Sequence, residues 1–375
     1  MSSAAVPRIG LLLQAVEEGG VERCFLNLAR GFVGRGYGAT LYTEAMRPWA
    51  RATLAPGVEV VELPAVARKQ RPGALAAQLA QHTPAALLAA KDDDCELALA
   101  ARAGGAQAPV VLVASVDYSA QLAGRGAGLW QRRRRYRLLR RLYGAADSVF
   151  CVSRGVAADM ARILGRPGED FHILPNPVVT PELEALSREP VAHPWLTPGQ
   201  PPLVLGVGRL SRIKNFPLLV RAFARARQER PMHLLLLGEG KQRRQLAALA
   251  RRLGAAAHVA LPGFVTNPYP YMRQASVLAL SSLWEGFGNV LVEAMACGTP
   301  VVATDCPSGP AEILQDGRYG PLVPMEDARA LAEGILRCLE QPVPPETLRA
   351  AAAPYTLENS TTAYLQALGL PPRWG

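Results

Sequence analysis

Short apolar runs recur along the chain and alternate with stretches whose apolar residues repeat every three or four positions. Residues 8–13, 39–42, 58–62, 85–89, 110–113 and 148–152 read as buried strands. Helical spacing separates most of them, as in 73–81 and 95–103. Such alternation predicts a mostly parallel sheet with helices on both faces. The rhythm returns at 203–207, 234–237, 259–265, 277–280 and 301–304, with helices expected at about 327–340 and 355–368. Between the two series, residues 175–202 carry eight prolines and few long apolar runs, which predicts a linker. The expected division is a first α/β domain over 1–180, a linker over 181–201 and a second α/β domain over 202–354.

Length agrees: 375 residues suit two domains, each able to bury its own core. No apolar stretch approaches the roughly eighteen residues of a membrane span. The apolar residues 9–13 near the start are too few for a signal peptide, so a cytoplasmic protein is expected. Six cysteines, at 24, 95, 151, 297, 306 and 338, form no Cys-x-x-Cys pair and fit reduced thiols rather than a disulfide framework or a zinc site.

A net charge of +10 changes the picture by asking for an acidic partner: nucleic acid, anionic lipid or an anionic small substrate. The charge is densest at 129–143, where Arg132, Arg133, Arg134, Arg135, Arg137, Arg140 and Arg141 are interleaved with Leu129, Trp130, Tyr136, Leu138, Leu139, Leu142 and Tyr143. Positions 129, 136, 139 and 143 can share a helical face. A basic amphipathic helix with interfacial aromatics suits an anionic bilayer surface; the plainer reading is a surface helix with solvated arginines packed on its domain. No nucleic-acid-binding module is recognisable, so no nucleic-acid partner is expected.

The most informative stretch is 281–305. The strand 277–280 runs into a turn, Gly286-Phe287-Gly288-Asn289, framed by Glu285 and Glu293. Asn289 is placed to cap a helix carrying Leu291, Val292, Met295 and Ala296, which Gly298 and Pro300 stop before the next strand. Glycines let the backbone approach a ligand, and free N–H groups of a first helical turn favour phosphate. Two carboxylates at the same turn would repel a bare phosphate. A ligand bearing both phosphates and hydroxyls resolves the conflict, whereas merely solvated glutamates would be costly in so apolar a junction.

Other turns are anion-ready in the same way. Strand 203–207 ends in Gly208-Arg209, with Lys214 five residues on; a guanidinium fork and an ammonium point charge could together neutralise a diphosphate. Gly19 and Gly20 separate the first strand from a helix, and Gly238 follows the strand 234–237. Asp92, Asp93 and Asp94 precede a helix, where acids complement the N-terminal N–H groups better than they make a metal site. Asp117 lies beyond the carboxyl end of the strand 110–113, where open α/β sheets bind ligands, or else it simply forms a turn.

These residues resemble the C-terminal signature of the retaining family-4 glycosyltransferases of GT-B fold, with paired glutamates separated by seven residues. The continuation Cys306-Pro307-Ser308-Gly309-Pro310-Ala311-Glu312-Ile313 is similar to bacterial members that build surface polysaccharides. The resemblance is strong over about 203–323 and weaker, but in register, elsewhere. It implies two doubly wound Rossmann-like domains facing across a cleft, with a last helix over 355–375 returning to the first domain. It implies transfer of a sugar from a nucleoside diphosphate donor, UDP first and GDP second, to a lipid-linked or polysaccharide acceptor, at the inner face of the cytoplasmic membrane. Arg209 and Lys214 would stabilise the leaving diphosphate and Glu285 the sugar hydroxyls, while Glu293 would hold the ribose. Gly19, Gly20, Gly208, Gly238, Gly263, Phe264, Gly286, Phe287, Gly288 and Asn289 would line the donor site. Neither cofactor nor metal is required by this scheme. Family members often carry an acceptor-side histidine; this chain has none there, and Asp117 is the nearest substitute. A sugar-nucleotide epimerase of similar fold and a non-catalytic, membrane-associated sugar-nucleotide-binding protein are the alternative readings.

Overall fold

The computed structural model describes residues 6–17 and 19–371. Glu18, immediately before Gly19 in the sequence, lies outside them, as do residues 372–375 at the end of the expected last helical segment. Seven strands make the first sheet: β1 (Arg8–Leu12), β2 (Gly38–Thr43), β3 (Val58–Glu62), β4 (Ala86–Ala89), β5 (Val110–Ala114), β6 (Ser148–Cys151) and β7 (His172–Ile173). Their order is β3-β2-β1-β4-β5-β6-β7, with every pairing parallel. The second sheet has β8 (Leu203–Val207), β9 (His233–Leu237), β10 (Val259–Gly263), β11 (Val277–Leu280), β12 (Val301–Thr304) and β13 (Leu322–Val323). Its order is β10-β9-β8-β11-β12-β13, again all parallel.

The central strands are apolar throughout rather than alternating. VVLVA in β5 and VLAL in β11 are buried at every position because helices cover both faces. In each sheet the chain works outward in one direction from the first strand and then resumes on its other side. The order therefore switches between β1 and β4 in one sheet and between β8 and β11 in the other. Such switch points open a crevice beyond the carboxyl ends of the strands.

Contacts divide the chain into two compact units. The first comprises the described residues up to Val116, Gly126–Val178 and the residues from Thr356 onward; the second comprises Asp117–Arg125 and Val179–Tyr355. The proline-rich stretch is thus not bare chain: it carries a short helix, Leu183–Ser187, and a 3-10 turn, Pro194–Leu196, within the second unit. The helix Leu357–Ala367 belongs to the first unit, packed on Gly20–Gly34. Arg35 pairs with Glu358 at 3.0 Å, and the Tyr364 ring meets Phe150 edge-on at 5.7 Å.

The arginine-rich segment is a helix, Leu129–Gly144. Leu139, Leu142 and Tyr143 are buried, anchoring its C-terminal half. Arg140 Nε donates to the Ile163 carbonyl at 2.6 Å, Arg132 Nε to the Ala127 carbonyl at 2.9 Å, and Arg135 pairs with Asp92. Those three arginines serve packing. At the other end Leu129 and Trp130 are each 70% exposed, with Arg133 and Arg134 exposed beside them; Arg137 and Arg141 are exposed farther along the helix. Among the described residues no helix is long and apolar enough to cross a membrane.

Candidate functional site

The switch point of the second sheet gathers the residues that the sequence singles out around 208–214 and 281–289. β8 delivers Gly208, Arg209 and Lys214; β11, its neighbour, delivers 281–289. The two loops are tied together directly. Leu283 N donates to the Ile213 carbonyl at 2.8 Å, and Ser281 Oγ to the Lys214 carbonyl at 2.8 Å. Across this seam Lys214 Nζ lies 2.5 Å from Glu285 Oε1, with the two side chains 21% and 12% exposed. Ser282 Oγ donates to the same oxygen at 2.6 Å, a residue that sequence reasoning missed. Arg209 is exposed at the same edge and, among the described residues, has no carboxylate partner.

This pairing answers the electrostatic puzzle of two acids at an anion-ready turn. Glu285 is charge-balanced by Lys214, and an ammonium has three donors, so one bond to Glu285 leaves capacity for a second anionic ligand. Glu293 is half-buried on the helix Asn289–Cys297. That helix is capped by Gly288 at φ +105°, and Asn289, expected as the cap, is instead the first helical residue. The cap needs a left-handed backbone that glycine adopts without strain, and it leaves the first-turn N–H groups uncovered by any cap side chain. Gly298, at φ +82°, ends the helix in the expected place. Phe287 is buried, its ring 5.1 Å from Tyr355, so it supports the turn from beneath.

Three further glycines form one row along the carboxyl edge. Gly208 N donates to the Leu237 carbonyl at 2.9 Å, and Gly238 N to the Gly263 carbonyl at 2.8 Å. Gly238, at φ +135°, has no room for a side chain, because the Gly208 carbonyl occupies that space. Phe264, next to Gly263, is 42% exposed. Gly19 and Gly20 belong to the first unit, where Gly19 caps the helix Gly20–Gly34 beyond the end of β1. Near them lies a contact that the sequence did not disclose, Lys91 Nζ with the buried Glu22 Oε1 at 2.7 Å.

Asp117 is buried, and Oδ1 accepts from Ala120 N at 2.7 Å, capping the short helix Tyr118–Gly124. Of the three acids at 92–94, all in the first turn of Asp92–Ala103, Asp94 Oδ1 accepts from Gln14 N at 3.0 Å. Cys306 is buried close by the site, and burial, with the charge of Glu285 adding to it, pushes its thiol up to about 12. A thiol so held stays protonated and is a poor nucleophile. What the arrangement offers is charge and N–H donors.

Both halves of the chain match known family models. Residues 19–177 match the model described as "Glycosyl transferase 4-like domain", and residues 201–341 match "Glycosyl transferases group 1". A Campylobacter jejuni N-acetylgalactosamine-N,N'-diacetylbacillosaminyl-diphospho-undecaprenol 4-alpha-N-acetylgalactosaminyltransferase is 34% identical over 54% of this chain and 53% of its own length. The lipopolysaccharide core biosynthesis glycosyltransferase LpsE of Rhizobium meliloti is 32% identical over 60% of this chain and 65% of its own. The chain thus spans about half to two thirds of these relatives. Among solved structures, Anabaena Alr3699/HepE in complex with UDP and glucose superposes with a TM-score of 0.76 at 21% identity, covering 96% of this chain and 99% of that one. A glycosyltransferase from Rickettsia africae superposes equally well, at 15% identity over 97% and 98%. With both family models in register and the two parallel-sheet units matched to these neighbours, the chain belongs to the family-4 glycosyltransferases of GT-B fold.

Proposed function

We propose that the chain transfers a sugar from a nucleoside diphosphate donor, UDP first and GDP second, to a hydroxyl of a lipid-linked or lipopolysaccharide acceptor, with retained anomeric configuration. The observation that carries this reading is the Lys214–Glu285 pair across the β8/β11 switch point, with Arg209 exposed beside it. Arg209 and Lys214 offset charge growing on the departing diphosphate, aided by the N-terminus of Asn289–Cys297. Glu285 and Glu293 accept from donor hydroxyls, the first from the sugar and the second from the ribose. The bond from the anomeric carbon to the diphosphate oxygen breaks and its electron pair goes to that oxygen. The acceptor oxygen bonds the same carbon, and its proton passes to the departing phosphate. In this scheme two cations serve the phosphates without a metal.

Thermal stabilisation by UDP, GDP, ADP, CMP and their sugar conjugates tests the reading. One diphosphate is expected to raise Tm, and Arg209→Ala to remove the shift. At a free concentration of one hundred times Kd the stabilisation would be about 2.7 kcal/mol. No shift with any nucleotide, or an undiminished shift in Arg209→Ala, would sink the proposed donor site.

We also propose that the exposed end of Leu129–Gly144 rests on the anionic inner face of the cytoplasmic membrane. An exposed Leu129-Trp130 pair suits the headgroup boundary, and each nearby arginine adds about 1 kcal/mol at an anionic surface. The full chain is expected to sediment with phosphatidylglycerol vesicles and not with phosphatidylcholine vesicles. The variant Trp130→Ser with Arg133→Gln and Arg134→Gln is expected to remain in the supernatant. Equal sedimentation of variant and parent would refute this membrane contact.

A further inference from the structure

The segment that leaves β5 does not stay with the first unit. Asp117–Arg125 clusters with the second, and its contacts there fall on the walls of the candidate site. Ser308 Oγ donates to Asp117 Oδ2 at 2.9 Å, while Oδ1 accepts from Ala120 N at 2.7 Å, so each carboxylate oxygen is engaged and the side chain is 6% exposed. At the far end of the same helix, Gly124 lies so close to the Trp284 ring that a Cβ would overlap it.

Ser308 has φ +62° and is followed by Gly309 at φ +99°. A serine in the left-handed region persists only where its surroundings hold it. Its neighbour Pro307 in turn accepts from Glu285 N at 3.1 Å through its carbonyl. Asp117 thus reaches Glu285 through one side-chain bond, one strained residue and one backbone bond.

We infer that Asp117 and Ser308 form a latch that sets the backbone of Glu285, and with it the carboxylate facing Lys214, so that Asp117 is a positioning residue rather than a group touching the acceptor. Its effect on turnover rests on the donor-site reading proposed above; its effect on the backbone does not. Releasing the latch lets the Pro307-Ser308-Gly309 turn relax, and Glu285 then loses the fixed orientation from which its side chain meets both Ser282 and Lys214.

Hydrogen exchange and kinetics on Ser308→Ala, Asp117→Asn and the double variant separate the possibilities. Ser308 is only half-buried, so Ser308→Ala is expected to fold. Its amide exchange over residues 285–289 should quicken about fivefold, as the loss of one hydrogen bond would allow. Its donor KM should rise and its kcat fall severalfold, with acceptor KM unchanged. Asp117→Asn keeps an oxygen for Ala120 N and an amide for Ser308, so it should stay near the parent in both readouts, and the double variant should be no worse than Ser308→Ala. Unchanged exchange in Ser308→Ala overturns the latch. So does a collapse of kcat in Asp117→Asn with Ser308→Ala unaffected, since that pattern belongs to a group acting on the acceptor. If the parent transfers no sugar at all, the proposed function fails, and the exchange experiment still decides the latch.

Discussion

Lys214→Ala is expected to cut turnover by roughly a hundredfold or more, the scale on which removing one preorganised partner of transition-state charge is felt. Two losses coincide. The departing diphosphate loses a cation, and Glu285, whose side chain is only 12% exposed, keeps its negative charge beside the space the diphosphate must enter. An uncompensated carboxylate at that depth also weakens the fold, though by less than the roughly 3–5 kcal/mol of a fully buried pair, because water still reaches the Lys214 end. Initial rates against donor concentration measure the first effect and thermal denaturation the second. The double variant Lys214→Ala with Glu285→Gln should melt higher than Lys214→Ala alone, since the orphaned charge is gone, yet turn over no faster. Unchanged turnover in Lys214→Ala would remove Lys214 from the phosphate role.

Gly309→Ala should have the largest effect on structure. A Cβ at Gly309 would lie 1.7 Å from the Phe287 carbonyl oxygen, and its φ of +99° is itself hostile to a side chain. Backbone stands on both sides of the overlap, so no side chain can swing away. The turn Gly286-Phe287-Gly288-Asn289 must move, and a cost of roughly 3 kcal/mol or more follows from strain and overlap together. Gly317 offers the matched control: its φ is +94°, but the nearest atom to a Cβ there is the Gly320 carbonyl oxygen at 3.9 Å. Gly317→Ala therefore reports strain without overlap. Gly309→Ala should melt well below it and lose nucleotide-induced stabilisation, which Gly317→Ala should keep. Matching behaviour of the two would mean that the Phe287 turn is not held by this approach.

Much of the architecture is local enough to read from residue order. Apolar runs such as VLAL at β11 and the flanking glycines announce strand and turn, and a glycine followed by Arg209 and, five residues on, Lys214 announces an anion. Even so, composition puts the cap of Asn289–Cys297 one residue late, because Asn289 satisfies the composition rule while the required left-handed geometry falls on Gly288. Pairings over long separations were not legible at all. Lys214 and Glu285 were both singled out, for different duties, and nothing in a stretch of sequence says that they meet across 71 positions. Ser282 belongs to no motif that marks it as a partner of Glu285. Ser308 and Asp117 stand 191 positions apart, and only the packed chain shows that one holds the other. The helix Pro345–Ala352, short and opened by consecutive prolines, carries too weak a periodicity to have been expected.

The last described helix has a bearing on how the protein comes into being. The first unit takes Leu357–Ala367 as part of its own core, with Tyr364 and Leu365 buried, although the whole of Val179–Tyr355 is made before it. Domains commonly fold as they leave the ribosome, amino-terminal ones first. Here the earlier unit emerges with the surface around Gly31, which Thr361 and Leu357 later cover, still open. It must wait, partly dressed, while the later unit is synthesised and folds. Synthesis halted near residue 355 would leave the second unit complete and the first one not.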